Sequence, residues 1–160
     1  MVIYVIGVSG SGKSTVGKLL AKALDYPFFD GDDFHPEANL QKMIQGHALN
    51  DTDRKPWLEK LNQLAIEHRG KGTVVACSAL KQSYRDILGT NLGDRYEFVF
   101  LKGSVEEIQI RLNQRQDHFM PPSLLYSQFE ALEPPLNAIT VSISKIPGEI
   151  VADILQKLRN

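Results

Sequence analysis

The chain has a single cysteine, Cys77, in 160 residues. An internal disulfide and a zinc site built from several cysteines are therefore excluded. Basic residues are not in excess either, because 18 lysines and arginines face 19 acidic residues and the formal net charge is −1. Such a balance does not favour a nucleic-acid or membrane partner, since both need an extended basic surface. Any bound anion has to be held by a local cluster of donors.

Long hydrophobic segments are also missing. The apolar run at residues 2–8 is too short to span a bilayer, has no basic segment before it, and leads directly into glycines. We therefore predict a buried strand there and not a signal peptide. No repeat or low-complexity linker interrupts the chain, so residues 1–160 are predicted to form one domain. The lone cysteine and the lack of a targeting segment favour a cytoplasmic location.

Short apolar segments alternate with helical patterns along the chain, which is typical of βαβ units around a parallel sheet. Five strands are predicted, at residues 2–8, 27–29, 73–77, 97–101 and 139–143. These segments are rich in Val, Ile and Phe, and their apolar residues do not strictly alternate with polar ones. Both faces of the sheet are therefore expected to be buried. The predicted fold class is α/β, with a five-stranded parallel sheet flanked by helices.

Several helices are predicted from the spacing of apolar residues and from their end signals. One follows the glycine-rich segment after the first strand, and another opens at Pro56. Ser104 and Glu107 form a capping-box pair that starts a third helix. A final helix is expected near Pro147.

A complete phosphate-binding motif of the form G-x-x-x-x-G-K-[ST] lies between the first strand and the first helix. Its glycines let successive backbone N–H groups point inward, and the helix N-terminus adds positive potential. The lysine supplies a cation for the β- and γ-phosphates, and the final serine supplies a ligand for Mg²⁺. The predicted nucleotide-binding residues are Gly7, Val8, Ser9, Gly10, Ser11, Gly12, Lys13, Ser14 and Thr15.

Two absences narrow the class of nucleotide-binding protein. The base-reading N-K-x-D sequence of GTPases does not occur, and the third strand ends Val74-Val75-Ala76-Cys77-Ser78 without the carboxylate that motors and larger ATPases carry. The metal must then depend on Ser14, phosphate oxygens, water and an acid from elsewhere. The pair Asp30 and Asp32 is the obvious supplier.

An acidic loop follows the second strand, with Asp30, Asp32 and Asp33 within four residues. Ligands bind at the carboxyl ends of strands in open α/β sheets. A carboxylate there can accept hydrogen bonds from a polyol, orient the attacking hydroxyl, or hold water on Mg²⁺. Capping of the helix that begins near Pro36 is an alternative role for Asp33.

The sequence resembles the gluconokinase family over most of its length. After the phosphate-binding motif, the matching segments occur in a fixed order that few other families share. They are Asp30 to Pro36, Asn39, Lys42-Met43, Gly46, Leu49, Asp51, Asp53-Arg54, Pro56-Trp57-Leu58, Cys77 to Lys81, Tyr84-Arg85-Asp86, Arg115, His118-Phe119-Met120, Leu124-Leu125, Ser127-Gln128-Phe129 and Leu132-Glu133-Pro134.

This resemblance implies ATP-dependent phosphorylation of D-gluconate to 6-phospho-D-gluconate, which feeds the pentose phosphate pathway. It implies the three-layer P-loop NTPase fold of shikimate and nucleoside monophosphate kinases, with a substrate flap at about residues 34–70 and a lid at about residues 111–128. ATP and Mg²⁺ are the implied cofactors, and gluconate is the implied small-molecule partner. The resemblance also implies a homodimer.

The resemblance also assigns roles to residues. Lys13, Asp32 and Arg115 are placed in catalysis, Arg111 and Arg115 on the nucleotide, and Ser14 with Asp32 on the metal. The substrate-binding residues are Asp30, Asp32, His35, Arg54, Lys81, Arg85 and His118. Arg54, Lys81 and Arg85 are cations suited to the gluconate carboxylate or the transferred phosphoryl group, and a surface ion pair is the alternative for each. A solvated basic face is the alternative for Arg111 and Arg115.

Some positions depart from the family pattern. Gln116 and Asp117 stand where a basic residue and a glycine are usual, and Gly89 stands where an arginine is usual. Two other functions remain open from the residues alone. One is a related small kinase acting on shikimate, another sugar acid or a nucleotide, and the other is a nucleotide-sensing module without catalysis. Trp57 is predicted to pack within the flap, and Cys77 is predicted to be a buried small residue.

Overall fold

The computed structural model describes residues 1–114 and 122–159. Its elements are, in chain order, β1 (Val2–Ile6), α1 (Lys13–Leu24), β2 (Phe28–Asp30), a short 3₁₀ helix (Gly31–Phe34), α2 (Glu37–Ile44), α3 (Asp51–His68), β3 (Thr73–Ala76), α4 (Gln82–Leu88), β4 (Tyr96–Lys102), α5 (Val105–Gln114), α6 (Pro122–Ala131), β5 (Ile139–Ser142) and α7 (Pro147–Arg159). None of the helices in these ranges has the length and apolar character needed to cross a membrane.

All five strands form one parallel sheet in the order β2-β3-β1-β4-β5. The five predicted strands are confirmed, with bounds that differ from the prediction by two residues at most. The largest difference is at β1, which ends at Ile6 because the chain turns into the glycine-rich loop at Gly7.

The fold has three layers, as the family resemblance implies. Alternate residues of β1 enter two separate cores, with Ile3 and Val5 on one face and Tyr4 on the other. The first core is covered by α1, α5, α6 and α7, and the second by α3 and α4. Burial of β1 on both faces explains why its sequence is uniformly apolar.

The prediction that a helix opens at Pro56 is wrong. Helix α3 begins five residues earlier, at Asp51, and Pro56 lies inside it. The Asn50 side chain accepts from the Asp53 backbone N–H, and the Asp53 carboxylate accepts from the Asn50 N–H. This capping box satisfies free donors of the first turn, which sets the start of the helix at Asp51.

Other predicted helix ends are confirmed. The Ser104 N–H donates to Glu107 Oε1 over 3.0 Å, and the Glu107 N–H donates to Ser104 Oγ over 3.1 Å, as a capping box requires. The final helix begins at Pro147 as expected. Asp33 does not cap α2, whose N-cap is Pro36.

The departure at Gly89 has a local explanation. A Cβ added at this position would lie 2.5 Å from the hydroxyl oxygen of Tyr96. The ring of Tyr96 packs against the second core, so the small residue at position 89 makes room for it. The departures at Gln116 and Asp117 lie outside the described residues.

Parallel pairing brings the carboxyl ends of the strands to a single edge of the sheet, where α/β folds bind ligands. The loops after β1, β2 and β3 meet there. The Gly7 N–H donates to the carbonyl oxygen of Ser78, which joins the loop after β1 to the loop after β3. The predicted phosphate-binding, acidic and Lys81 segments therefore share one edge.

Candidate active site

The loop between β1 and α1 has the backbone geometry of a phosphate cradle. Gly10 and Gly12 have φ values of 81° and 92°, a left-handed conformation that favours glycine. A Cβ on Gly10 would also lie 2.9 Å from the side chain of Leu112. The first amides of α1 have no partners within the helix, and Gly12, at the N-cap, has no side chain to cap them. The loop and the helix end together therefore offer N–H donors to an anion.

Lys13 is the first residue of α1, and its ammonium group lies over this loop. Nζ donates a 2.9 Å hydrogen bond to the carbonyl oxygen of Val8. The side chain is thus folded back across the cradle, which places the cation beside the loop. Among the other cradle residues, Ser11 is fully buried, and its Oγ would lie 2.8 Å from a Cβ on Gly7. Position 7 therefore has no room for a side chain.

The acidic loop contacts the cradle through Asp30. Ser14 Oγ donates a 2.7 Å hydrogen bond to Asp30 Oδ2, and the other carboxylate oxygen of Asp30 accepts from the Asp32 N–H at 3.0 Å. Asp30 therefore caps the 3₁₀ helix and anchors α1 at once. The sequence-based metal pair was Ser14 with Asp32, but the carboxylate that meets Ser14 belongs to Asp30. The reason is that Asp30 is the last residue of β2, next to the cradle, whereas Asp32 lies in the following turn.

Asp32 has a distinct electrostatic environment. Partial burial raises the pKa of its carboxyl group, and the negative charge of Asp30 adds to this effect. The positive charge of Lys13 acts in the opposite direction, as does that of His35 when its ring is protonated. The Asp32 side chain is still exposed to solvent, and this exposure limits how far its pKa rises. A carboxylate with a raised pKa, close to the lysine of the cradle, is a better proton acceptor than an ordinary aspartate.

His35 belongs to a packed group within the segment that is predicted as the flap. Its ring stacks on the Trp57 indole with centroids 4.2 Å apart, and Asn39 Nδ2 lies 3.3 Å from His35 Nδ1. The Trp57 indole N–H donates to the carbonyl oxygen of Gly31 at 2.7 Å. Burial lowers the pKa of His35, so the ring is neutral near pH 7. The packing role predicted for Trp57 is confirmed, since only 3% of the residue is exposed.

Two predicted substrate-binding cations are brought together by α3 and the start of α4. Arg54 Nη1 lies 3.1 Å from the hydroxyl oxygen of Tyr84, and Lys81 Nζ lies 3.4 Å from Asp51 Oδ1. The Tyr84 hydroxyl donates a 2.5 Å hydrogen bond to the same carboxylate oxygen, which lowers the pKa of Asp51. Arg54 and Lys81 are each only about one third exposed. Both cations form ion pairs with Asp51, at 3.8 Å from Arg54 and 3.4 Å from Lys81. The arrangement is therefore a cluster of two cations around one carboxylate at the sheet edge.

Arg85, the third predicted cation, is buried and has backbone partners. Its guanidinium donates to the carbonyl oxygens of Ala79 at 2.8 Å and Glu133 at 2.6 Å, and the residue is 2% exposed. Ala79 has a φ of 41°, a conformation that costs energy for a residue with a Cβ. Arg85 thus stabilises the turn that carries Lys81. Its assignment to the substrate stays a prediction, and these contacts do not favour it.

The structure describes only part of the segment that is predicted as the lid. Arg111, in α5, donates to the carbonyl oxygen of Ile143, and its Nη1 would lie 3.4 Å from a Cβ on Gly12. It is therefore beside the cradle, as the nucleotide-binding prediction requires. Arg115 and His118 lie outside the described residues. Thr15 follows Ser14 in α1, and its side chain is exposed.

Cys77 is buried at the end of β3. Burial raises the pKa of its thiol to about 12, so the thiol is protonated near neutral pH and is a poor nucleophile. The prediction of a buried small residue is confirmed.

Two polar residues at the site were not singled out from the sequence. Tyr84 links Arg54 to Asp51, and Gln128 lies against Ser9 of the cradle. Both fall within segments that carry the family resemblance, which was the available signal. Neither side chain is charged or part of a recognised motif, so residue chemistry alone does not reveal the role.

Comparison with known proteins agrees with this geometry. The family model for shikimate kinase matches residues 9–158. A probable gluconokinase from Rattus norvegicus is 47% identical, with 99% of this chain and 97% of the relative covered. A gluconokinase from Arabidopsis thaliana is 43% identical, with 99% and 93% covered.

Among solved structures, a gluconokinase from Sinorhizobium meliloti 1021 superposes with a TM-score of 0.91 at 44% identity, with 98% of this chain and 90% of that chain covered. Sequence identity at this level, over nearly the whole length and on the same fold, shows membership of the same family. The chain therefore belongs to the gluconokinase family of kinases, on the shikimate kinase fold.

Proposed function

We propose that this protein transfers the γ-phosphoryl group of ATP to the 6-hydroxyl of D-gluconate and releases ADP and 6-phospho-D-gluconate. The observation that carries the proposal is the 2.7 Å hydrogen bond between Ser14 and Asp30. It joins a phosphate cradle to an acidic loop, so a triphosphate and a polyol can meet at one point of the sheet edge. Membership of the gluconokinase family supports gluconate as the polyol.

The transfer is a direct in-line displacement without a covalent enzyme intermediate. The oxygen of the 6-hydroxyl forms a bond to the γ-phosphorus while the bond from that phosphorus to the β,γ-bridging oxygen breaks, and ADP keeps the electron pair. Asp32 orients the hydroxyl and accepts its proton. Its raised pKa favours this role, because burial and Asp30 make the carboxylate more basic. Lys13 balances negative charge on the phosphates.

Ser14 and Asp30 are the residues that we assign to Mg²⁺. Oxygen donors on a small hard cation are the preferred chemistry, and Mg²⁺ usually keeps several water and phosphate ligands of its own. Within residues 1–114 and 122–159, no cluster of three or more His, Cys, Asp or Glu side chains forms a dedicated metal cage. That finding fits an ion delivered with the nucleotide. An Mg²⁺ ion held by these two residues would supply positive charge that offsets the negative charge of the phosphates.

The basic cluster of Arg54 and Lys81 is assigned to the carboxylate of gluconate. Gluconate carries its carboxylate at the end of the chain opposite to the 6-hydroxyl, so a cation that binds the carboxylate fixes which end reacts. Arginine is well suited to this role because it binds a carboxylate through two parallel hydrogen bonds. Tyr84 holds Arg54 in place.

Arg111, with Arg115 and His118 from the lid, is assigned to closure over the bound substrates. A closed lid excludes water, which would otherwise take the phosphoryl group and hydrolyse ATP. The side chain of Arg111 lies beside Gly12, and this position supports a contact with phosphate. The proposal also includes a single domain with the flap and lid bounds given above, a cytoplasmic location and a homodimeric state. Analytical ultracentrifugation tests whether the protein is a homodimer.

A coupled assay of ADP release tests the proposed function. Purified protein with ATP and Mg²⁺ is offered D-gluconate, other aldonic acids, shikimate and nucleoside monophosphates. We expect gluconate to give the highest kcat/KM and phosphorus NMR to identify a 6-phosphate ester. Lys13→Ala, the matched control, should be inactive. Preference for shikimate or a nucleotide would overturn the proposed acceptor, and binding of ATP without transfer to any acceptor would indicate a sensing module.

A further inference from the structure

Ser9 of the cradle is held by a side chain from α6. Its backbone N–H donates a 2.8 Å hydrogen bond to Gln128 Oε1, and Gln128 Nε2 donates to Ser9 Oγ over 3.0 Å. The two contacts join residues that are 119 positions apart in sequence. Because both ends of one amide are used, the contact fixes the orientation of Ser9 as well as its position.

The chemistry of this contact suits glutamine in particular. The amide is neutral, and it provides one acceptor and one donor. A glutamate would keep the acceptor but lose the donor, and it would add a negative charge beside bound phosphates, where like charges repel. An alanine would remove both contacts and leave the Ser9 N–H without its partner.

The helix that carries Gln128, α6, is anchored in the first core. Leu125, one turn earlier in α6, is fully buried in the first core, and Phe129 packs against that core. The Leu132 N–H donates to the carbonyl oxygen of Gln128 over 3.0 Å, which continues the helical turn beyond α6. Gln128 therefore extends from a rigid base.

Five residues after Gln128, Glu133 contacts the acceptor side of the site. Its N–H donates to the carbonyl oxygen of Leu80 over 2.8 Å, and its Oε1 accepts from the Gln82 N–H over 2.8 Å. Its carbonyl oxygen also accepts from Arg85. Glu133 thereby caps the N-terminus of α4, next to Lys81. The segment from Gln128 to Glu133 therefore touches the cradle through one residue and the loop that carries Lys81 through another.

We propose that Gln128 is a positioning residue of the phosphate cradle. The segment from Gln128 to Glu133 then fixes the position of the cradle relative to the loop that carries Lys81. Gln128 serves the nucleotide, whereas Glu133 serves the acceptor. The nucleotide part needs only the phosphate-binding role of the cradle, and the acceptor part rests on the proposed function.

The test compares Gln128→Ala, Gln128→Glu and Glu133→Ala with a control, Gln156→Ala, which changes an exposed glutamine of α7. ATP and ADP affinities are measured by calorimetry without acceptor, and KM for each substrate and kcat are measured separately. We expect Gln128→Ala to weaken nucleotide binding about 10- to 30-fold, as the loss of two hydrogen bonds implies. The KM for gluconate should change less than about 3-fold.

The other variants sharpen the comparison. Gln128→Glu should bind nucleotide more weakly than Gln128→Ala, with a larger deficit at low salt because screening is weaker there. Glu133→Ala should show the opposite split, with a raised KM for gluconate and nearly unchanged ATP affinity. In a double-mutant cycle, the effects of Ser9→Ala and Gln128→Ala should be less than additive, since both remove the hydrogen bond from Gln128 Nε2 to Ser9 Oγ.

Nucleotide affinity of Gln128→Ala within 2-fold of the unchanged protein would overturn the proposal. An equal loss of affinity for ATP and for gluconate, together with a fall in Tm, would overturn the proposal too, because that pattern indicates a general structural defect. If gluconate proves not to be the acceptor while Gln128→Ala still weakens ADP binding, the proposed function fails and the role of Gln128 on the cradle stands.

Discussion

Ser14 donates a 2.7 Å hydrogen bond to Asp30, and this contact distinguishes the role of Asp30 from that of its neighbour Asp32. Asp30 is bound to the first turn of α1 and caps the next turn of chain. Asp32 has no such contact with Ser14, and burial and the charge of Asp30 raise its pKa. The two residues are therefore expected to respond differently to the same substitution.

Asp32→Asn should lower kcat by about 100-fold to 10,000-fold, because the amide cannot accept the proton of the attacking hydroxyl. Affinity for ATP, measured by calorimetry, should stay within about 3-fold since the cradle is intact. Asp33→Asn is the matched control in the same exposed turn. Near-normal turnover of Asp32→Asn would show that its assigned role is wrong.

Asp30→Asn should act on the metal requirement. The neutral amide is a weaker partner for the cation and for Ser14, so the Mg²⁺ concentration for half-maximal activity should rise about 10-fold or more. Saturating Mg²⁺ should recover much of the rate. A variant with unchanged Mg²⁺ dependence but a large loss of kcat would instead place Asp30 on the acceptor.

The pH profile should show the raised pKa of Asp32. The ionised carboxylate accepts the proton, so activity falls as pH drops through this pKa. Because the pKa lies above its ordinary value of 3.8, the acid limb of kcat/KM should lie above that pH. Asp33 also raises this pKa, so Asp33→Asn should move the limb to lower pH. A shift to higher pH would contradict the assignment of the limb to Asp32.

Arg85→Met separates a structural role from substrate binding. The substitution leaves the carbonyl oxygens of Ala79 and Glu133 without their buried donor, so the free energy of unfolding should fall by about 2–4 kcal/mol. Urea denaturation measures this, with Arg159→Met on the exposed end of α7 as the control. Unchanged stability with a large rise in the KM for gluconate would instead support a direct substrate contact.

Much of the fold and of the cradle follows from local sequence. Residues 7–14 form the cradle because glycine geometry, a helix N-terminus and Lys13 all act within eight consecutive positions. The Ser104–Glu107 capping box is local in the same way. Helix α3 also has a local start signal, the capping box of Asn50 and Asp53. Pro56 resembles a helix start but lies inside this helix, so the prediction based on it is wrong.

What the tertiary structure alone decided is which polar groups meet across the sheet edge. Asp30 and not Asp32 reaches Ser14 because the register of β2 beside β3 places the strand end against α1. Gln128 reaches Ser9 across 119 residues, and Arg85 reaches Glu133 across 48. Such contacts depend on how helices pack on the sheet, and hydrophobic periodicity specifies only which face of a helix is buried. The chemistry was therefore readable from the sequence, whereas its arrangement required the fold.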